Sequence, residues 1–287
     1  MSRYSTLLIT SIILGSIILT PSYIVNIEGQ TSNSVTNVSK LSLSKSLNNG
    51  VNLENKSVQY FEDANGYLVY PLSSSGNPNS KLPGVVMIHE WWGLNQNIKD
   101  MANLLAKQGF VVLAVDLYHG KVAESPESAM KLVQVVRNNQ NNSLANLQAA
   151  VKYLSQLSNV DGSKIASIGW CFGGGQSLQL ALNSQEQKLA ATILYYGSPL
   201  VTDKESLSKI EWPVLGIFGD KDQSIPIEEV NQFRSSLDQN GIKNEIHVYN
   251  GVGHAFANPS GDNYAPQETE DAWQKTLSFL RKYVVET

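Results

Sequence analysis

From residue 58 onward the sequence alternates short apolar runs with longer stretches whose apolar residues recur every three or four positions. The runs at 85–89, 110–115, 165–168, 190–195 and 214–218 carry few polar side chains. A strand that is apolar on both sides must be covered on both sides, which is the situation of a parallel sheet between two layers of helices. The intervening stretches read as helices. Residues 97–108 place Ile98, Met101, Leu104 and Leu105 on one side and stop at Gly109, and residues 144–157 do the same with Leu144, Leu147, Val151 and Leu154. Ser125-Pro126 reads as a helix cap followed by proline in the first turn. Residues 173–182, 227–239 and 268–285 are further helices, and 245–249 is a last strand. The predicted fold class is α/β, one domain over residues 58–287 with a mostly parallel sheet and helices on both faces. Ahead of the parallel strands, 58–61 and 67–70 flank Asn65-Gly66, which predicts a hairpin turning at that dipeptide.

Residues 1–57 follow other rules. Arg3 precedes an uncharged apolar run from Leu7 to Leu19. That pattern is a signal peptide over residues 1–25 or, if the run continues through Val25 to the ~20 residues that cross a bilayer, an N-terminal membrane anchor through residues 7–25. Residues 26–57 are rich in Ser, Thr and Asn and form a polar linker with little to bury. Export is therefore expected, either into the medium or to the outer face of the cytoplasmic membrane.

Charge and residue counts remove several classes of function. Lys+Arg 21 against Asp+Glu 25 gives net charge −4, which offers nucleic acid no basic face. One cysteine excludes an internal disulfide and a cysteine-based zinc site. The four histidines lack metal-ligand spacing and no phosphate-binding Gly-Lys loop occurs, so no metal or other cofactor is expected. The partner is a small molecule, and the sequence does not specify an oligomeric state.

Between the strand at 165–168 and the helix at 173–182 stands Gly169-Trp170-Cys171-Phe172-Gly173-Gly174-Gly175. A Gly-x-Cys-x-Gly turn in that context is a nucleophile elbow, so tight that only glycine fits beside it. It lifts the sulfur of Cys171 above the sheet at a helix start and turns the Phe172 amide toward the place where an oxyanion would form. The alternative is a glycine-rich turn around an inert cysteine. Two later loops supply the partners of a thiol nucleophile. Asp220 and Asp222 follow the run at 214–218, and His254 follows the strand at 245–249, both at the carboxyl edge of the sheet. The order nucleophile, acid, histidine is that of an α/β-hydrolase. His254 would take the thiol proton and return it to the leaving group, with an aspartate fixing the imidazole. His247 inside a strand has a structural reading, and His119, at a strand end, lies at the same rim.

These pieces, with His89-Glu90-Trp91-Trp92-Gly93, Asp116-Leu117-Tyr118 and Gly253-His254-Ala255-Phe256, make residues 58–285 resemble the dienelactone hydrolase family of α/β-hydrolases. The resemblance implies an ester or lactone hydrolase with a Cys171–Asp222–His254 triad, and selects Asp222 over Asp220. It implies that Glu90 interacts with the thiol and that the Trp91 amide joins that of Phe172 in an oxyanion hole. From the residues alone, a carboxylate next to two tryptophans should have a raised pKa. Tyr118, Trp170, Tyr196 and Phe256 are candidate substrate-binding residues. The resemblance also implies two arginines that hold a substrate carboxylate, but those positions are Gly120 and Asn258 here. Without charge-assisted contacts there, a neutral or larger ester or lactone is expected. A non-catalytic exported binding protein on this fold, or a thiol-dependent acyltransferase or peptidase, are the alternatives.

Overall fold

The computed structural model describes residues 50–72 and 81–287. The apolar stretch 7–25 and the linker as far as residue 49 lie outside the described residues. Among those described, no helix is long and apolar enough to cross a membrane.

The chain runs β1 (Leu53–Phe61), β2 (Ala64–Pro71), β3 (Leu82–Ile88), α1 (Gln96–Ala106), β4 (Val111–Ala114), α2 (Pro126–Asn138), α3 (Gln140–Ser155), β5 (Val160–Trp170), α4 (Phe172–Leu182), β6 (Ala191–Tyr195), α5 (Lys204–Leu207), β7 (Val214–Gly219), α6 (Ile227–Gln239), β8 (Asn244–Tyr249) and α7 (Pro266–Leu280), closing on a π-helical turn, Arg281–Val285. One eight-stranded sheet has the order β1-β2-β4-β3-β5-β6-β7-β8. The β1/β2 and β2/β4 pairs are antiparallel, and every pair from β4/β3 to β7/β8 is parallel. This is an α/β-hydrolase-like sheet.

The apolar runs become its centre because both of their faces are covered. Val85, Val86, Met87 and Ile88 of β3 are fully buried, as are Ile193 and Leu194 of β6 and Leu215 and Ile217 of β7. Each such side chain contributes about 1.5–3 kcal/mol through removal from water. Helix starts are set by short polar residues. The Asn95 side chain accepts the Ile98 amide at 3.2 Å, and Ser125 Oγ accepts that of Ser128 at 3.2 Å while Ser128 Oγ accepts that of Ser125 at 3.0 Å.

Two details differ from the sequence reading. β1 starts at Leu53, five residues before the boundary expected at residue 58. It is an edge strand held by its backbone ladder to β2, and only Val58 along it is buried, so hydropathy does not mark its beginning. The hairpin turns at Glu62-Asp63, not at Asn65-Gly66, with Glu62 at φ 41°. Gly66 lies inside β2, where an added Cβ would stand 2.7 Å from Leu113 Cδ1 and 3.1 Å from the Tyr60 ring. The glycine there serves a close approach between neighbouring strands, not a reversal.

The parallel strands all point one way, so the segments following β3, β5, β7 and β8 gather at one rim.

Candidate active site

Cys171 is the single residue between β5 and α4, with φ 55° and ψ −120°. A side chain other than glycine holds such a conformation only where its surroundings impose it. Here the Cys171 amide donates to the Tyr195 carbonyl at 3.0 Å, and the Cys171 carbonyl accepts from Gly175 at 3.2 Å and Ser198 at 3.3 Å. A Cβ on Gly169 would lie 2.1 Å from the Gly173 carbonyl oxygen, and one on Gly173 would lie 2.4 Å from the carbonyl oxygens of Ile88 and His89. The bend therefore admits nothing larger at either flank.

His254 reaches this bend from the loop after β8. Its Nε2 is 3.1 Å from Cys171 Sγ and its Nδ1 is 2.7 Å from Asp222 Oδ2. Asp222 Oδ1 accepts the amides of Ser224 at 2.8 Å and Ile225 at 3.2 Å, so the buried carboxylate is fixed on both oxygens. Burial alone would lower the His254 pKa, but hydrogen bonds to Asp222 and Cys171 and the charges beside them push it up to about 10. At neutral pH the imidazole thus holds a proton against the sulfur. Asp220 turns the other way and accepts the Gly251 amide at 2.6 Å, shaping the start of the loop that carries His254.

The opposite wall is built after β3. His89 is fully buried, and burial lowers its pKa. Its Nε2 accepts the Leu117 amide at 3.2 Å, which leaves Nδ1 to donate to the Glu90 carbonyl at 2.6 Å. This neutral ring ties the β3 and β4 loops together. Tyr118 adds a second tie, donating from its hydroxyl to the Trp91 carbonyl at 3.1 Å. Among the described residues the Trp91 amide makes no hydrogen bond, and the Phe172 amide, first in its helix, has no intrahelical acceptor.

Glu90 is buried, and Asn258 Nδ2 donates to its Oε2 at 2.6 Å. Burial raises its pKa to about 7, against the opposing influence of His254 and Asn258. A carboxyl whose folded pKa exceeds its unfolded one contributes stability that is complete at low pH and lost as pH rises through 7. Glu90→Gln keeps an acceptor for Asn258 and has no charge to bury. It is expected to stabilise the protein at pH 8.5, on the order of 3 kcal/mol, and to change little at pH 4.5. Denaturation at the two pH values measures this; an equal effect at both would refute it.

Cys171, His254 and Glu90 line one cavity of about 440 Å³, walled on its apolar side by Trp91, Trp92, Met130, Val133 and Phe172. The four aromatic residues expected to bind substrate sit behind this wall. Trp170 packs on Tyr195 with ring centres 5.4 Å apart, Tyr118 leans on His89 at 4.7 Å, and fully buried Phe256 packs on Tyr196 at 5.6 Å. Tyr196 supports the His254 ring from behind at 5.2 Å. Trp170 and Tyr196, at or just past the ends of β5 and β6, turn into the sheet layers, and Tyr118 and Phe256 fold back from their loops onto the same core. His119 pairs with Asp63 and lines no part of this cavity, and His247 lies near Glu245 on β8. Gly120 donates its amide to Asp116. Three contributors escaped the sequence reading: Asn258 as the partner of Glu90, Trp92 as wall, and Arg137 of α2, which brings a guanidinium to the cavity. Trp92 was visible beside Trp91; the other two have no local signal.

Residues 66–284 match the dienelactone hydrolase family. Protein usf of Aquifex pyrophilus is 34% identical over 207 residues, covering 70% of this chain and 89% of that protein. A protein of Aquifex aeolicus named "putative carboxymethylenebutenolidase" is 30% identical with the same coverage. The crystal structure of a "putative dienelactone hydrolase" from Klebsiella pneumoniae superposes with a TM-score of 0.70 at 26% identity, covering 82% of this chain and 100% of that one.

Proposed function

The chain belongs to the dienelactone hydrolase family, a family of hydrolases, and from that premise we propose that it cleaves a carboxylic ester or lactone through Cys171, His254 and Asp222 by way of a thioester. The observation that carries this reading is the run of contacts from Asp222 Oδ2 to His254 Nδ1 at 2.7 Å and from His254 Nε2 to Cys171 Sγ at 3.1 Å.

The sulfur attacks the substrate carbonyl carbon, and the proton shared with Cys171 stays on His254. The tetrahedral oxyanion is held by the amides of Trp91 and Phe172; a single such donor supplies about 2.7–4 kcal/mol of barrier lowering. As the carbon–oxygen bond breaks, His254 gives its proton to the departing alkoxide, leaving an acyl group on sulfur. His254 then removes a proton from water, which attacks the thioester; collapse releases the acid and returns the proton to the Cys171–His254 pair. Asp222 holds the imidazole in the tautomer that faces the sulfur throughout.

An activated aryl ester with slow deacylation tests the intermediate. Intact-protein mass spectrometry after brief exposure should show one added acyl group, mapped to the peptide containing Cys171. A protein that turns over the ester with no adduct at that residue under any quench would exclude the thioester route. Faster transfer of the acyl group to an added alcohol or amine than to water would favour an acyltransferase.

A further inference from the structure

We propose that the cavity at Cys171 continues past Arg137 into a second, polar subsite, and that the substrate is an ester whose far end is hydroxylated and carries a negative charge. The inference rests on the hydrolase reading above and adds the substrate's distal chemistry to it.

Two cavities meet at Arg137, Phe172 and Ser198, which line both. The first, with the reactive sulfur, is largely apolar in its walls. The second, about 430 Å³, lies over α3 and α4 and is lined by Gln140, Ser143, Gln176, Gln179 and Asn183. Leu144, Leu147 and Pro199 also form its walls, so it is mixed in character where the first is mainly apolar. No acidic residue lines the second cavity, and the one in the first, Glu90, is buried and engaged with Asn258. Among the described residues the Arg137 guanidinium makes no ion pair, and the side-chain amides of Gln140, Gln176 and Gln179 make no hydrogen bond to protein. These groups stand ready with donors and acceptors in the pattern that hydroxyl groups complement. A guanidinium adds the planar fork that matches a carboxylate or phosphate. The charge is supplied by α2, where the two cavities meet, and not by positions 120 and 258.

The test compares two esters of similar length, neutral p-nitrophenyl hexanoate and anionic mono-p-nitrophenyl adipate. The protein should favour the adipate in kcat/KM, chiefly through KM. Arg137→Gln should reduce that preference roughly tenfold, Arg137→Glu should reverse it, and Arg137→Lys should restore part of it. Arg137 is exposed, so an unchanged melting temperature confirms that each variant is folded. For the hydroxyl groups, gluconate should inhibit hexanoate cleavage more strongly than pentanoate does, and 6-phosphogluconate shows whether phosphate serves as well as carboxylate. Gln176→Leu combined with Gln179→Leu should erase the advantage of gluconate over pentanoate. An adipate-to-hexanoate ratio unmoved by Arg137→Glu overturns the proposal while hexanoate turnover leaves the hydrolase reading standing. Failure to cleave either ester would instead remove the hydrolase reading itself.

Discussion

Changing Cys171 to alanine is expected to lower kcat/KM for a neutral p-nitrophenyl ester by about 10⁵-fold or more, with the fold intact. The size of the loss follows from how the groups are coupled. His254 Nε2 points at Sγ, and Asp222 is committed to His254. On the proposed mechanism, loss of the sulfur leaves His254 no nucleophile to serve and the amides of Trp91 and Phe172 no covalent adduct to stabilise. Such groups act as a unit, so removing one forfeits most of what all supply together. The structural cost is small, because the exchange deletes one half-buried atom and leaves the backbone bonds of Cys171 to Tyr195, Gly175 and Ser198 in place. Retention of more than about 1% of the activity in a folded variant would exclude Cys171 as the nucleophile.

The second large effect is on stability. Gly169→Ala would put a methyl carbon 2.1 Å from the Gly173 carbonyl oxygen and 2.3 Å from its carbon. Both atoms are backbone, and Gly173 is itself wedged against Ile88 and His89, so the strain has no flexible side chain to absorb it. Overpacking where side chains can shift costs about 1–3 kcal/mol; here the cost should exceed about 3 kcal/mol. The melting temperature should fall by about 6 °C or more, at roughly 2–4 °C per kcal/mol for a domain of this size, or the variant should fail to accumulate. Gly261→Ala is the control, since its new methyl would meet only ordinary contacts at 3.6–4.0 Å. A Gly169→Ala protein that melts with the wild type would show that the bend is not as tight as described.

The bend and the loops carrying the acid and the histidine were legible in the sequence because each follows the end of a strand, and a parallel sheet brings all such ends to one rim. The choice of Asp222 over Asp220 needed a family resemblance, since two acids two residues apart share every local property. What remained hidden depends on distance along the chain. Asn258 meets Glu90 across 168 residues, and Arg137 belongs to a helix whose pattern speaks only of its buried side. Trp170, Tyr118, Tyr196 and Phe256 misled because an aromatic side chain near a reactive residue satisfies packing as readily as recognition. Gly66 misled for a related reason: a glycine needed for close contact looks the same as one needed for a turn.

His254 hangs from the end of β8, the outermost ribbon of the sheet, which has a neighbour on one side only and whose residues are all half-buried. Regions with few buried contacts detach from a protein well below its global melting point. Heat should therefore silence this protein by fraying at one margin, well before its interior gives way, and cooling should return the imidazole to the sulfur without any need to refold the rest.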